Sequence, residues 1–148
     1  MEITSPAFET NEQMPVEFTC YGANYNPPLQ FWDVPEDATS LLLIMENWDM
    51  PVRPFTRWLV FNIPPIEEEI EQQATFVRPT IEIQNSNDTY GYSGSCLETG
   101  THEVEFRLFA LDTMLDLNRT VDRQEVEAAM SGHVIAEAEL RTKFSHDS

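Results

Sequence analysis

Residues 41–65 read LLLIMENWDMPVRPFTRWLVFNIPP, two apolar runs of strand length separated by a polar and charged gap. The first, 41–45, is continuously apolar, and the second, 58–63, is rich in aromatic and β-branched residues. Runs of this kind belong to strands covered on both faces, so the rest of the chain must supply a layer on each side. The gap holds Glu46, Asn47, Trp48, Asp49, Met50, Pro51, Arg53, Pro54 and Arg57. Polar groups at the ends of two core strands must be satisfied by one another, by water or by a ligand, since each left buried and unpaired costs about 1–3 kcal/mol. The gap is therefore the first candidate for a functional site.

The remaining elements are short. Residues 2–8 read as an edge strand stopped by Pro6, and 16–21 alternate Val16, Phe18 and Cys20 with Glu17, Thr19 and Tyr21, the pattern of a half-buried strand. A loop, GANYNPP, leads to a short strand at 29–32, closed by DVPED. The acidic stretch 67–73 reads as a solvated connection in preference to a helical turn. A short strand is expected at 80–83, then a long loop over 85–100, dense in Asn, Ser, Gly, Asp and Thr. In 102–112 Val104, Phe106, Leu108 and Ala110 alternate with Glu103, Glu105 and Arg107, a strand with one apolar face. Asp122 with Glu125 three residues on forms a capping box, Val126, Ala129 and Met130 share one helical face, and Gly132 ends the helix. Alternation over 136–144 predicts a closing strand, and there are no internal repeats.

At 148 residues the chain is expected to form one domain, 1–148. Its 26 acidic residues face only 8 basic ones, a formal net charge of −18. Such a surface repels phosphate backbones and anionic headgroups, so nucleic acid and stable membrane association are not expected. The acids are scattered along the whole length, and high salt would screen their mutual repulsion. A halophilic source is the favoured reading, beside an ordinary acidic protein or an engineered surface. No leader-like segment and no apolar run near the roughly 20 residues of a membrane span is present, so a soluble, cytoplasmic protein is expected. Cys20 and Cys96 fit no zinc or CxxC spacing; free thiols are expected, with a Cys20–Cys96 bridge as the alternative.

Several motifs recur in a known order. ITSPAF (3–8), FTCYG (18–22), NPPL (26–29), WLVFNIP (58–64), GYSGSC (91–96), GTH (100–102), LFALD (108–112) and AAMSGHVIAEAEL (128–140) together resemble the phosphatidylethanolamine-binding protein family, in its bacterial and archaeal branch related to Raf kinase inhibitor proteins. The resemblance spans nearly the whole chain. It implies a mainly β, sandwich-like fold: a large antiparallel sheet packed on a smaller one, with one or two peripheral helices and a small anion pocket at one end. The family's pocket motif, DPDxP, aligns with Asn47, Trp48, Asp49, Met50 and Pro51. The family's histidine before the following Trp is Arg57 here, and its later histidine is His102; Gly94 and Ser95 stand for its Gly-Pro, and Glu103 and Val104 for its Arg and Tyr. The ligand-binding set so implied is Asn47, Trp48, Asp49, Pro51, Arg57, Gly94 and His102.

A guanidinium at position 57 is a planar, permanently charged fork suited to carboxylate or phosphate, which Asp49 and Asn47 would orient. The opposing reading is that Arg57 and Asp49 pair with each other and close the pocket. Three functions follow. The first is a non-enzymatic domain binding a small anionic ligand, without cofactor or metal. The second is a protein-interaction module, such as a kinase or serine-protease inhibitor, using the 85–100 loop; homodimerisation stays open. The third, least favoured, is an enzyme with Asp49 and His102 as acid and base, since no G-x-S-x-G, HExxH or phosphate-loop motif is present. A metal held by Glu46, Asp49 and His102 has suitable ligand types but no distinctive spacing.

Overall fold

The structure, a computed structural model, describes residues 1–50, 53–96 and 100–145. The organising pair forms β3 (Ser40–Asn47) and β4 (Phe55–Ile63), paired antiparallel, and every residue of β3 is buried. With β6 (Ile81–Glu82), β7 (Thr101–Leu111) and β8 (Val134–Ser145) they make a five-stranded sheet in the order β6-β4-β3-β7-β8. A second sheet joins β1 (Glu2–Thr4), β2 (Leu29–Trp32) and β5 (Glu69–Ile70) in the order β1-β2-β5.

Period two places alternate side chains of β3 on opposite faces, and each face has its own apolar layer. Leu41, Leu43 and Met45 pack with Trp58, Val60, Phe106 and Leu108 against Ile3, Leu29, Phe31 and Ile70 of the small sheet. Leu42 and Ile44 pack with Leu59, Phe61 and Phe109 under Val126 and Met130 of α1 (Arg123–Met130). The expected sandwich with a peripheral helix is thus present. The helix begins as its sequence predicts: the Asp122 side chain accepts from the Glu125 N–H and the Glu125 carboxylate accepts from the Asp122 N–H.

Three expectations are corrected. Residues 16–21 are not a strand: Val16–Phe18 form a 3-10 turn after Pro15, and the backbone bonds locally, from Thr19 N–H to the Val16 carbonyl and from Gly22 N–H to the Thr19 carbonyl. Any Cβ at Gly22 would lie 2.4 Å from the Val16 carbonyl oxygen, so the tight turn requires glycine. The stretch 67–73 is not simply a solvated connection, because Ile70 is buried and pairs with Leu29 as the third strand of the small sheet. Cys20 and Cys96 are not free thiols. They form a disulfide with Cα atoms 5.2 Å apart, which removes the thiol argument for a reducing cytoplasm.

Candidate functional site

At the open end of the β3–β4 pair the register slips: Met45 faces Trp58 while Glu46 faces Thr56, leaving Arg57 as the extra residue of a β-bulge. A bulge re-aims a side chain, and here it turns the guanidinium to the side occupied by Asn47 and Phe55. The Arg57 backbone carbonyl, lost to β3, accepts from Ser93 N–H.

Arg57 is 2 % exposed. Its Nε donates to Asn47 Oδ1 at 2.8 Å, its Nη1 donates to the Gly94 carbonyl at 3.3 Å, and its Cζ lies 4.3 Å from the Phe55 ring centroid. Burial pulls the guanidinium down to about 10, against the opposing influence of Tyr92 and Asp49, so it stays cationic at neutral pH. Asn47 is fixed in turn by donating from Nδ2 to the Glu103 carbonyl at 2.8 Å.

Asp49 makes no ion pair with Arg57, against the reading in which the two close the pocket; of the two residues expected to orient the guanidinium, Asn47 bonds it and Asp49 acts on it only through its charge. Its Oδ2 contacts His102 Nδ1 at 3.1 Å and accepts from Glu103 N–H at 3.1 Å, and both side chains are partly exposed. The expected residues therefore split into two tiers, a buried one of Arg57, Asn47 and Gly94 and an outer one of Asp49 and His102. Trp48 borders the outer tier, lining a cavity with Asp49, Arg53 and Glu103. It is 47 % exposed and borders a cavity with Glu105, Arg107 and Arg141 over the β7–β8 face. Pro51 lies outside the described residues.

The floor of the site depends on residues that sequence reasoning passed over. Gly94 N–H donates to Asn24 Oδ1 at 2.9 Å, and a Cβ on Gly94 would meet the Phe18 carbonyl at 2.3 Å. Tyr92 donates to that same carbonyl at 2.6 Å, and burial pushes its phenol up while Arg57 partly opposes the shift. The FTCYG and GYSGSC motifs are thus packed on each other and joined by the disulfide. Their shared glycines and cysteines were the available signal. The Ser95 hydroxyl, fully buried, has no hydrogen-bond partner among the described residues. Glu46, one residue before Asn47, pairs with Arg107 and Arg123; it borders one cavity with Asp49, but no hydrogen bond or ion pair joins it to Asp49 or His102 among the described residues. No cluster of three metal-ligating side chains occurs among the described residues.

The phosphatidylethanolamine-binding protein family model matches residues 4–145, almost the entire chain. The chain belongs to that family. A UPF0098 protein of Methanothermobacter thermautotrophicus is 39% identical over 144 residues, 95% of either chain, and one of Pyrococcus horikoshii is 40% identical over 143 residues, 92% of this chain and 72% of its own. Among solved structures, a putative phosphatidylethanolamine-binding protein homolog from Chlamydia trachomatis superposes with a TM-score of 0.92 at 33% identity, over 99% of this chain and 97% of the other. Escherichia coli YbcL, described as a member of the mammalian family, superposes at 0.90 and 22% identity over 99% and 98%, a likeness of fold. The family fold inferred from motif order is therefore the fold observed. Among the described residues no helix is long and apolar enough to cross a membrane.

Proposed function

We propose that this family member is a non-enzymatic domain that holds a small phosphoryl or carboxylate anion beside Arg57, with His102 and Asp49 at the rim. The observation that carries this reading is the state of Arg57: a cation 2 % exposed whose hydrogen bonds go to an amide oxygen and a backbone carbonyl, with no carboxylate at ion-pairing distance among the described residues. A buried charge is ordinarily paired, because its desolvation is otherwise uncompensated. An incoming anion supplies the missing partner. Arg107, Arg123 and Arg141 all have glutamate partners, whereas Arg57, more deeply buried than any of them, has none among the described residues. The unpartnered Ser95 hydroxyl, next in sequence to Gly94, is a further donor on the same segment.

Calorimetric titration with phosphate, acetate and phosphorylethanolamine at fixed salt tests the proposal. Binding should persist from pH 6 to 8, because Arg57 is depressed only to about 10. Arg57→Ala should weaken it about ten- to a hundredfold, the worth of one charge-assisted bond of about 1.5–3 kcal/mol. His102→Ala should cost less, its Nδ1 already being engaged by Asp49. A wild-type protein that binds none of the three, or an Arg57→Ala variant that binds more tightly, would sink the anion reading and favour a protein-interaction role.

A further inference from the structure

Away from the Arg57 site, beyond the outer edge of β4, Phe76, residues 78–82, Tyr90 and residues 115–119 line an open cleft of about 660 Å³. Its volume lies within the range of pockets for small organic ligands. The walls are tied together. Asn62, at positive φ in β4, donates from Nδ2 to the Leu115 carbonyl and accepts from Leu115 N–H, both at 2.8 Å, while Thr80 Oγ1 donates to the Asn62 carbonyl at 3.2 Å. The cleft is thus framed by hydrogen bonds between distant segments. A neighbouring groove of about 310 Å³ shares Phe76, Arg78, Pro79 and Thr80 with it and extends it along the sheet edge.

Two arginines line this cleft, Arg78 and Arg119. Three of the chain's eight basic side chains are ion-paired to glutamates, Arg57 is buried in its own site, and Arg53 and Lys143 are exposed elsewhere. Arg78 and Arg119 have no ion-pair partner among the described residues, although acids outnumber bases more than threefold. The Arg119 guanidinium is stacked 3.8 Å from the Tyr90 ring centroid, which sets its plane while its N–H groups make no hydrogen bond to a described residue. Two carboxylates also border the cleft. Glu82 accepts from the Trp58 indole N–H at 2.7 Å, and burial raises its carboxyl; Asp116 makes no ion pair with either arginine. Leu115, Leu117, Ile81 and Phe76 supply an apolar wall.

We propose that this cleft is a second binding site, independent of Arg57, for an organic anion carrying a phosphate or carboxylate group on a flat or apolar body. The two arginines take the oxyanion, and the Tyr90 ring with the leucine wall takes the body. Such an arrangement, a mostly apolar pocket with a few convergent polar groups, is how small-molecule sites gain both affinity and orientation.

Phenyl phosphate, benzoate and inorganic phosphate serve as probes, titrated at one ionic strength and followed by calorimetry and amide chemical shifts. Phenyl phosphate or benzoate should bind saturably, more tightly than inorganic phosphate, with shifts centred on Tyr90 and Leu117. Arg78→Ala and Arg119→Ala should each weaken the binding read from the shifts at Tyr90 and Leu117 about tenfold or more. Preference for one organic probe identifies the head group. Arg78→Gln and Arg119→Gln, which keep side-chain length at exposed positions, separate loss of charge from any loss of folding seen in the alanine variants. The proposal is overturned if neither organic probe saturates, if the glutamine variants bind as wild type does, or if the shifts centre on Arg57 and Gly94 and leave Tyr90 and Leu117 unmoved.

Discussion

Glu46 and Arg57 are buried at the same end of the β3–β4 pair, on opposite faces of one sheet, and they are treated differently. The Glu46 carboxylate is fully enclosed and meets two arginines, Arg123 at 2.9 Å and Arg107 at 3.3 Å; Arg123 also donates to Thr56. It is a closed electrostatic unit that ties α1 to the sheet. Among the described residues Arg57 has only neutral hydrogen-bond partners. One face closes its charge within the structure, and on the other the proposed anion would supply the missing partner.

The sharpest way to break the contrast is to remove each charge. Glu46→Ala leaves Arg107 without its carboxylate and Arg123 with Glu127 alone, and unfolding by denaturant should show a loss of ~3 kcal/mol, the lower end for a broken buried pair because Arg123 keeps that partner and both arginines retain some solvent. Arg57→Met should change stability by no more than about 1 kcal/mol, since relief of desolvation offsets the lost hydrogen bonds. It should also sharply reduce the stabilisation of the wild type by phosphate. Equal losses in the two variants would erase the distinction.

A second test loosens only the Arg57 side. The Cys20–Cys96 disulfide closes a loop of 76 residues' separation next to Gly94, whose carbonyl holds Arg57. Reduction should lower stability by about 2–4 kcal/mol. Amide exchange should rise around Gly94 and Arg57 while the Glu46 unit, on the opposite face of the sheet, keeps its protection. Uniform loss of protection would mean that the two sides unfold together.

The smallest effect concerns acidity on the Glu46 side. Glu105, directly opposite Glu46 on β7, has its carboxyl pushed up to about 7, by burial first, then by its hydrogen bond to Glu139 and by neighbouring negative charge that includes Glu46. The folded state therefore keeps a proton that the unfolded chain releases above its ordinary 4.5, and stability should fall as pH rises from about 4.5 to about 7. Glu139 is held low by the same hydrogen bond, and its contribution is lost only at lower pH. Glu105→Gln should flatten this slope and stabilise the protein at pH 8. Thermal unfolding at pH 5 and pH 8 in constant salt measures both, and an unchanged slope would remove Glu105 as its source.

Much of this molecule is legible in one dimension. The apolar runs of β3 and β4, the alternation of β7 and β8 and the capping box of α1 are local periodicities, and the structure forms each element where the pattern lies. The same test misled at residues 16–21, because alternation becomes a strand only when a neighbour takes its backbone groups. Here Pro15, Thr19 and Gly22 offered local bonds instead.

Family membership and fold were likewise determined by the chain's residue order, since spacing between motifs is a property of sequence. Partner choice was not. That Ile70 completes the small sheet, that Cys20 meets Cys96, that Asp49 turns to His102 and that Glu46 gathers two arginines are outcomes of contacts between segments tens of residues apart. A charge read in sequence has many carboxylates within notional reach. Only the bulge at Arg57, which rotates one side chain out of the sheet's alternation, decides that this arginine lies beside an amide and a carbonyl and not an acid.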